Sequence, residues 1–303
     1  MRFDTAPARV SIIILNWNGL DDTIECLESL KKIDYPNYSI SVADNGSEHG
    51  DADLLKKKYG NFIRVIEYKT NLGFAEGNNR AITILLGEGQ SDFILLLNND
   101  TVVRGDFLSK LVDVALRNET IGIIGSKNYF YTPERKTNRI WCNGAKIAWW
   151  QGSIKHFQKE RHVPADMPYF DSEFVVGSAM LIRTSVFKTV GLLDPSYFCY
   201  GEDGDFCLRA KKHGYQSVYA PASVIWHKIN QSLTSFSPNY TYLVTRNKFW
   251  LIKRNFIWFK YGVFVIVFLA VKQPLWVARF LWRGNFLQIF YFYRGIIDGL
   301  MKN

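Results

Sequence analysis

Hydrophobic residues occur along this 303-residue chain in short continuous runs, and segments with helical spacing lie between them. The runs 10–15 and 93–97 are rich in β-branched residues or leucine and are too short for helices, so they predict buried strands. Shorter runs predict further strands at 38–43, 63–66, 174–176, 180–182 and 217–220. Helical spacing occurs at 20–30, 77–86 and 108–116, from residue 185 onward, and at 203–213. Strands that alternate with helices predict an α/β fold with a mostly parallel sheet, whereas residues 126–172 have no clear period.

Polar clusters stand at the ends of three predicted strands, at 16–18, 44–45 and 98–100. In a parallel sheet such ends meet at one edge, where ligands bind. Side chains alternate along a strand, so Asn98 and Asp100 point to the same side, and their oxygen atoms suit Mg²⁺ or Mn²⁺. Taken singly, Asp100 is equally consistent with an ordinary turn-capping carboxylate.

The segment 71–79 carries two glycines and three asparagines before a predicted helix. Such a segment permits close approach of the backbone to a phosphate-bearing ligand. It is neither a P-loop nor a dinucleotide-binding fingerprint. Because it contains no lysine that could clamp a phosphate, it favours a metal ion as the partner of a diphosphate.

Three carboxylates, those of Glu202, Asp203 and Asp205, directly follow an aromatic run that includes Tyr200. Acids are common at solvated helix N-termini, but the flanking aromatic residues would keep part of this cluster dry. A partly buried carboxylate crowded by like charges has a raised pKa, which suits a proton acceptor. His227 follows a predicted strand and gains a functional interpretation only if it lies beside Asp100.

The net charge of +9 belongs to the region after residue 240, which has ten Lys or Arg residues, one acid and 17 of the 47 aromatic residues. This composition predicts that the tail, residues 241–303, contacts an anionic membrane surface and not nucleic acid. Its apolar stretch 261–271 falls short of the roughly 20 residues that a membrane span needs. The alternative is a tail that packs on the rest of the chain or on a second copy in a homo-oligomer. The four cysteines have no zinc spacing and fit a reducing cytosol, which predicts a cytoplasmic protein, peripheral on the inner face of the cell membrane.

Five segments resemble, in sequence order, the inverting glycosyltransferases of family 2, which have the GT-A fold. They are 10–15, 44–47, 71–78, 98–100 and 201–205. The resemblance covers about residues 8 to 230, within a predicted catalytic domain 1–240. It implies a Rossmann-like, mostly parallel sheet covered by helices. It also implies transfer of a sugar from a nucleotide-diphosphate sugar to a glycan acceptor, which we expect to be lipid-linked. The implied cofactor is a divalent metal ion, Mg²⁺ or Mn²⁺.

The resemblance implies a role for each matching residue. Asp203 resembles the catalytic base that deprotonates the acceptor hydroxyl. The implied metal ligands are Asn98, Asp100 and His227. The implied acceptor-binding residues are Gly177, Tyr200 and Glu202. The implied donor-binding residues are Asn16, Asn18, Asp44, Asn71, Gly73, Phe74, Asn78 and Asn99, with Asp44 on the pyrimidine.

The chain departs from the family pattern at Asn98, which replaces the first Asp of the family's Asp-x-Asp motif. An amide oxygen can ligate a hard cation, but it brings less charge. This variant, together with residues 15–19, resembles the rhamnosyltransferases and implies dTDP-rhamnose as donor, with a UDP-sugar as the alternative. The family's processive synthases have a Gln-x-x-Arg-Trp motif, which this sequence lacks, so we expect transfer of a single sugar.

Two other classes of protein are compatible with parts of the pattern. One is a nucleotide-dependent oxidoreductase, although the first strand is not followed by a dinucleotide-binding fingerprint. The other is a non-enzymatic membrane-surface protein in which the carboxylates are only caps.

Overall fold

A computed structural model describes residues 6–132, 135–158, 168–229 and 237–301. Lys302, which belongs to the charge count of the tail, lies outside the described residues. The strands are β1 (Val10–Asn16), β2 (Tyr38–Asp44), β3 (Arg64–Glu67), β4 (Phe93–Asn98), β5 (Thr101–Val103), β6 (Ile121–Thr132), β7 (Arg135–Cys142), β8 (Ala145–Ala148), β9 (Ser153–His156), β10 (Phe170–Asp171), β11 (Ala179–Arg183) and β12 (Gln216–His227). The helices are α1 (Leu20–Leu30), α2 (Asp51–Tyr59), α3 (Gly73–Glu88), α4 (Phe107–Ala115), α5 (Thr184–Val190), α6 (Glu202–Lys212), α7 (Pro238–Asn255), α8 (Trp258–Val267), α9 (Gln273–Trp282) and α10 (Phe286–Met301).

One sheet contains ten of the described strands. Its main path is β10-β12-β6-β11-β4-β1-β2-β3, with β5 beside β12 and β7 beside β6. β1 is parallel to β2 and β4, β2 to β3, and β6 to β12, whereas β11 is antiparallel between β4 and β6. β8 and β9 form a separate pair. The predicted α/β fold with a mostly parallel sheet is confirmed.

Several elements differ from the sequence prediction. The described part of the segment 126–172, which has no clear period, contains the end of β6 and all of β7 to β10. The strand predicted at 174–176 is only an isolated bridge between Phe174 and Ala145. The helix predicted from residue 77 begins four residues earlier, because Gly73 adopts a positive φ of 79° that turns the chain into α3.

The sheet separates two hydrophobic cores, because side chains alternate between its faces. Along β1, Ile13 packs into one core and Ile12 and Ile14 pack into the other. Helices α1, α2 and α4 cover the core of Ile12 and Ile14. Helices α3, α5 and α6 cover the core of Ile13, together with α7 to α10 from the C-terminal region. The C-terminal helices therefore share a core with the sheet.

Helices α8 and α9 join through a π-helical turn, Phe268–Lys272, into one continuous helix, Trp258–Trp282, of 25 residues. Among the described residues it is the one helix long and apolar enough to cross a membrane, by length and composition alone. The prediction that the apolar stretch is too short was therefore wrong. The helix continues through Pro274 because the π-helical turn directly before this proline accommodates its missing N–H.

The continuous helix has two different faces. Phe264, Phe268 and Phe280 are buried in the same core as Ile13. On the opposite side Trp258 and Trp282 are 83% and 84% exposed. We call the exposed apolar residues of the C-terminal region the tail outer face: Ile257, Trp258, Phe259, Ile266, Leu269, Val271, Leu275, Leu281, Trp282, Phe286, Leu287, Phe290, Tyr293, Ile297 and Met301.

Candidate active site

The carboxyl ends of β1, β2 and β4 meet at one edge of the sheet. The strand register pairs Asn16 with Asp44 and Leu15 with Asn98. A cavity of about 570 Å³ opens at this edge. The predicted site residues that line it are Phe74, Asn98, Asp100, Gly177, Tyr200, Glu202, Asp203 and His227. The structure thus brings the predicted base, metal ligands and acceptor-binding residues around one cavity.

Asp100 and His227 lie together because β5 and β12 are paired. Thr101 stands opposite His227 in this pairing, and the backbone N–H of Lys228 donates to the carbonyl oxygen of Asp100 at 3.0 Å. The Nε2 atom of His227 lies 3.0 Å from Oδ1 of Asp100, and both residues are 8% exposed. Despite this short distance, neither Asp100 Oδ1 nor His227 Nδ1 has a hydrogen-bond partner among the described residues. Buried polar atoms without partners are costly, so this pair suits a cation that both side chains could ligate.

The residues around Asp100 offer few groups that could ligate a metal ion. Among the described residues, no group of three or more His, Cys, Asp or Glu side chains is placed to hold a metal ion. Asp100 and His227 are two such side chains in contact with each other, and Asn98, with its amide oxygen, lines the same cavity. A cation here would need further oxygen ligands from a bound substrate.

Asp203 is the second residue of α6 and is partly buried at the cavity wall. Its Oδ2 accepts a 3.1 Å hydrogen bond from the N–H of Gly177, and its Oδ1 accepts one of 2.8 Å from the N–H of Gly204. Burial raises the pKa of Asp203 to about 6, although these backbone hydrogen bonds act in the opposite direction. The group is therefore mostly ionised at neutral pH and can accept a proton there.

The two acids beside Asp203 have different environments. Burial, and then the charge of Asp203, raises the pKa of Glu202 well above its ordinary value, and its Oε2 has no partner among the described residues. Asp205 instead pairs with Arg209 at 2.7 Å and accepts a 2.7 Å hydrogen bond from Asn255. Asp205 thus stabilises α6, whereas Glu202 and Asp203 face the cavity.

The loop before α6 has an unusual backbone. Phe198, Tyr200 and Gly201 have φ angles of 64°, 72° and 109°. For a residue other than glycine, such a conformation costs about 1–3 kcal/mol and persists only where the surroundings enforce it. Here α7 enforces it, because Asn247 donates to three carbonyl oxygens of the loop and Arg246 donates to two.

The glycines of segment 71–79 serve packing within the protein. A Cβ atom on Gly73 would lie 2.6 Å from the carbonyl oxygen and the ring of Phe198, and one on Gly77 would lie 2.8 Å from Leu15. The N–H groups of Phe74 and Ala75 donate to the carbonyl oxygen of Phe198. Sequence analysis predicted that a phosphate approaches the backbone of these glycines. In the structure, Phe198 lies against Gly73 and Leu15 lies against Gly77 instead. A donor contact by this segment stays a prediction.

Most of the predicted donor-binding side chains belong to a polar network behind the cavity. Asn16 is fully buried and donates to Asp44 at 2.8 Å and to Asp51 at 2.9 Å. Asn71 accepts from the amide of Asn45 at 3.0 Å. Asn78 donates to the carbonyl of Phe74, and Asn99 donates to Gly19 and Thr23. These contacts position the strand ends, and the predicted contacts with a nucleotide stay predictions.

Asn18 joins this network through its backbone N–H, which donates to the hydroxyl oxygen of Ser47 at 3.0 Å, and it lines a second depression of about 440 Å³. It adopts a positive φ of 50°, and its side-chain oxygen accepts from the N–H of Glu48 at 2.8 Å. The depression also contains Asp21, Asp22 and His49.

The strand-end amides, Asp100 and the acids of α6 lie within a region that matches a known protein family. The family model described as glycosyltransferase like family 2 matches residues 7–249. The chain belongs to this family. The prediction of a family 2 glycosyltransferase, and therefore of a transferase enzyme, is confirmed.

Curated relatives of this family 2 glycosyltransferase are similar over most of the chain. The N-acetylglucosaminyl-diphospho-decaprenol L-rhamnosyltransferase of Mycobacterium tuberculosis is 30% identical over 213 residues, which is 64% of this chain and 68% of that protein. Rhamnosyltransferase WbbL of Escherichia coli is 27% identical over 247 residues, which is 75% of this chain and 86% of that protein. The predicted sequence similarity to rhamnosyltransferases is thus confirmed.

The crystal structure of GalNAc-T7 with UDP, GalNAc and Mn²⁺ matches with a TM-score of 0.64 at 18% sequence identity. The match covers 80% of this chain and 48% of that one, so the chain spans about half the length of that structure. At this identity the likeness shows the fold alone, and the predicted GT-A fold is confirmed.

Sequence reasoning missed several residues of the family 2 site. Trp141, His156 and Lys248 also line the cavity, and the Trp141 ring lies 5.1 Å from the rings of both His156 and His227. Arg246 and Asn247 hold the loop before α6. These two side chains contact backbone carbonyl groups, which leave no pattern in the sequence.

Proposed function

We propose that this enzyme transfers a single rhamnose, with inversion, from dTDP-rhamnose to a glycan carried on a lipid diphosphate. The observation that carries the proposal is the partly buried Asp203 on the wall of the cavity that Asn98 and Asp100 also line. The names of two relatives support rhamnose as the sugar, and one of these names contains a lipid-linked diphosphate.

Asp203 is the proposed base. The acceptor hydroxyl gives its proton to a carboxylate oxygen of Asp203 while the hydroxyl oxygen forms a bond to the anomeric carbon of the donor. The bond from that carbon to the nucleotide diphosphate breaks on the opposite face, so the configuration inverts. A pKa of about 6 keeps Asp203 ionised before this step and still able to accept a proton during it.

Glu202 is proposed to hold the acceptor. Burial raises its pKa and so favours the protonated form, in which it can donate a hydrogen bond to an acceptor oxygen without adding a second charge next to Asp203. Tyr200 and Gly177 line the same part of the cavity and complete the proposed acceptor-binding set.

Asp100, His227 and Asn98 are the proposed ligands of a divalent cation, Mg²⁺ or Mn²⁺. Their fit rests on the unpartnered, buried Oδ1 of Asp100 beside the His227 ring. Bound there, such an ion would neutralise charge on the departing diphosphate. Asp44, at the end of β2, is proposed to bind the pyrimidine of the donor.

The tail outer face is proposed to rest on an anionic membrane surface, at the inner face of the cell membrane. One side of the helix Trp258–Trp282 packs on the catalytic core, so this helix fits the headgroup plane better than the middle of a bilayer. The exposed cations Arg279, Arg283 and Arg294 would meet lipid phosphates. A lipid-linked acceptor would be found at the same surface.

Donor and product analysis tests the proposal. Purified enzyme is incubated with Mn²⁺, a lipid-diphosphate N-acetylglucosamine acceptor and, separately, dTDP-rhamnose, UDP-sugars and GDP-mannose. We expect one rhamnose per acceptor, with an anomeric configuration opposite to that of the donor by NMR. A clear preference for a UDP-sugar would overturn the donor assignment, and retained configuration would overturn the role of Asp203.

A further inference from the structure

Lys248 is a cation of the cavity that the proposed mechanism does not use. It lies on α7, and it is the one lysine or arginine among the described residues that line the cavity. Its side chain is half-buried, and it has no hydrogen-bond or ion-pair partner among the described residues. A partly desolvated ammonium without a partner is costly unless a ligand completes its surroundings.

The electrostatic surroundings of Lys248 leave its charge uncompensated. Burial, and then the like charge of Lys272, lowers the pKa of Lys248 to about 8. The acids of the cavity, Asp100, Glu202 and Asp203, are not among the groups that shift it. The charged neighbour that acts on Lys248 is therefore the like charge of Lys272.

The cavity wall around Lys248 adjoins the tail. Gly152, Ser153 and Ile154 line the same cavity, and a Cβ atom on Gly152 would lie 2.4 Å from the ring of Phe264 in α8. Lys272 belongs to the π-helical turn that continues α8. The cavity that contains Asp203 and Lys248 thus adjoins the helix whose other side carries the tail outer face.

We infer that Lys248 binds a phosphate group of the acceptor, so that the site selects glycans attached to a phosphate or diphosphate over neutral glycosides. The inference rests on the proposed function and deepens it, because it assigns a residue and a charge to the acceptor. A phosphate could also come from a bilayer lipid, so the experiment must separate the two sources.

The test compares two acceptors that differ only in the phosphates: N-acetylglucosamine on a short-chain lipid diphosphate, and the alkyl N-acetylglucosaminide of the same chain length. Both are assayed in neutral detergent with the wild type, Lys248→Met and Lys248→Arg. Lys188→Met, a change at an exposed lysine of α5, is the matched control. Melting temperatures verify that each variant is folded.

We expect Lys248→Met to lower kcat/KM for the diphosphate acceptor by about 10–100-fold, the range for loss of a hydrogen bond to a charged group. The kcat/KM for the neutral acceptor and the KM for the donor should not change. Lys248→Arg should restore part of the preference, and Lys188→Met should behave as the wild type. An equal loss on both acceptors, or a raised donor KM, would overturn the inference.

Two further measurements separate the remaining outcomes. The detergent assay is repeated with phosphatidylcholine vesicles and with vesicles that contain phosphatidylglycerol; an effect of Lys248→Met confined to the anionic vesicles would assign Lys248 to lipid headgroups and overturn the inference. Acceptor binding is also measured by calorimetry without donor. A wild type that binds the two acceptors equally contradicts the inference alone, whereas a wild type that transfers no sugar to either acceptor contradicts the proposed function.

Discussion

The side-chain amide of Asn247 donates a 2.7 Å hydrogen bond to the carbonyl oxygen of Tyr200, three residues before Asp203. The same amide nitrogen lies 2.8 Å from the carbonyl oxygen of Cys199 and 3.1 Å from that of Tyr197. One side chain of α7 therefore holds the strained loop that leads into α6. The direction in which Asp203 faces the cavity depends on this contact.

Asn247→Ala should reduce both turnover and stability. We expect a loss of about 1–3 kcal/mol in the free energy of unfolding, because buried carbonyl groups lose their donor. Displacement of Asp203 should lower kcat by up to about 10²-fold, with donor affinity retained. Asn239→Ala, at an exposed position of the same helix, is the control. Normal kcat in a folded Asn247→Ala would show that the loop keeps its shape without this amide.

Asp203→Asn should remove the base while keeping its shape. We expect turnover to fall by about 10²–10⁴-fold, with little change in nucleotide affinity. Asp205→Asn is the comparison: Asp205 pairs with Arg209 and Asn255, so its loss should lower the melting temperature more than kcat. If Asp205→Asn is the inactive variant and Asp203→Asn is nearly normal, the base has been assigned to the wrong acid.

The same residue sets the expected pH dependence of the wild type. Burial raises the pKa of Asp203 to about 6, and the base must be ionised to act. Activity should therefore decrease about tenfold per pH unit below pH 6 and level off above it. The measurement is kcat/KM for the acceptor between pH 4.5 and 8, in the range where the enzyme stays folded. An acid limb centred near the ordinary Asp value of 3.8 would contradict the effect of burial.

Asp100→Ala should abolish metal-dependent donor binding. With wild-type enzyme, we expect dTDP and Mn²⁺ together to raise the melting temperature more than either alone, because ligands that bind the folded state stabilise it. Asp100→Ala should lose the metal-dependent part, and Asp171→Ala, at an exposed position of β10, should keep it. Full turnover of the wild type in excess chelator would refute the metal assignment.

Two glycines of α3 should respond oppositely to alanine. Gly73 has a φ of 79°, and its Cβ would lie 2.6 Å from Phe198, so Gly73→Ala should cost about 1–3 kcal/mol or more of unfolding free energy. Around Gly87 nothing lies within 4 Å of an added Cβ, so Gly87→Ala should stabilise α3 by about 0.5–1 kcal/mol. Chemical denaturation measures both. Equal effects at the two positions would contradict the close packing at Gly73.

Removal of apolar residues from the tail outer face should release the enzyme from membranes. The variant Trp258→Ser/Ile266→Ser/Trp282→Ser should fail to co-sediment with anionic vesicles, and Trp150→Ser, outside the tail, should still bind. Binding of the wild type should weaken with salt but persist in part, because aromatic residues also insert. A wild type that stays in solution with anionic lipid at low salt would indicate that the tail packs on a second copy.

The strand ends of the site could be predicted because their signal is local. The runs 10–15 and 93–97 stop abruptly at polar residues, and the parallel sheet brings those ends together. The contact between Asp100 and His227 instead depends on the register of β5 against β12, which are more than 100 residues apart in the sequence. No local pattern fixes such a register.

Other features were missed because their determinants leave no periodic signal. β6 is fully buried at its start and half-buried at its end, so its hydrophobic residues do not alternate. The partners of Asn247 are backbone carbonyl groups, which any sequence supplies. The helix continues through Pro274 by way of a π-helical turn, and the composition of residues 268–272 does not predict such a turn.

The packing of Phe264, Phe268 and Phe280 into the core of the sheet makes the C-terminal region a rigid support for the cavity. With the tail outer face on a bilayer, Asp203 would stand at a constant height above the lipid. A lipid-linked acceptor sugar would then reach Asp203 only if the glycan between this sugar and the lipid had a matching length. The height of the cavity above the membrane would then select the stage of a growing glycan at which the enzyme adds its sugar. Shorter or longer acceptors would not place their terminal sugar at Asp203.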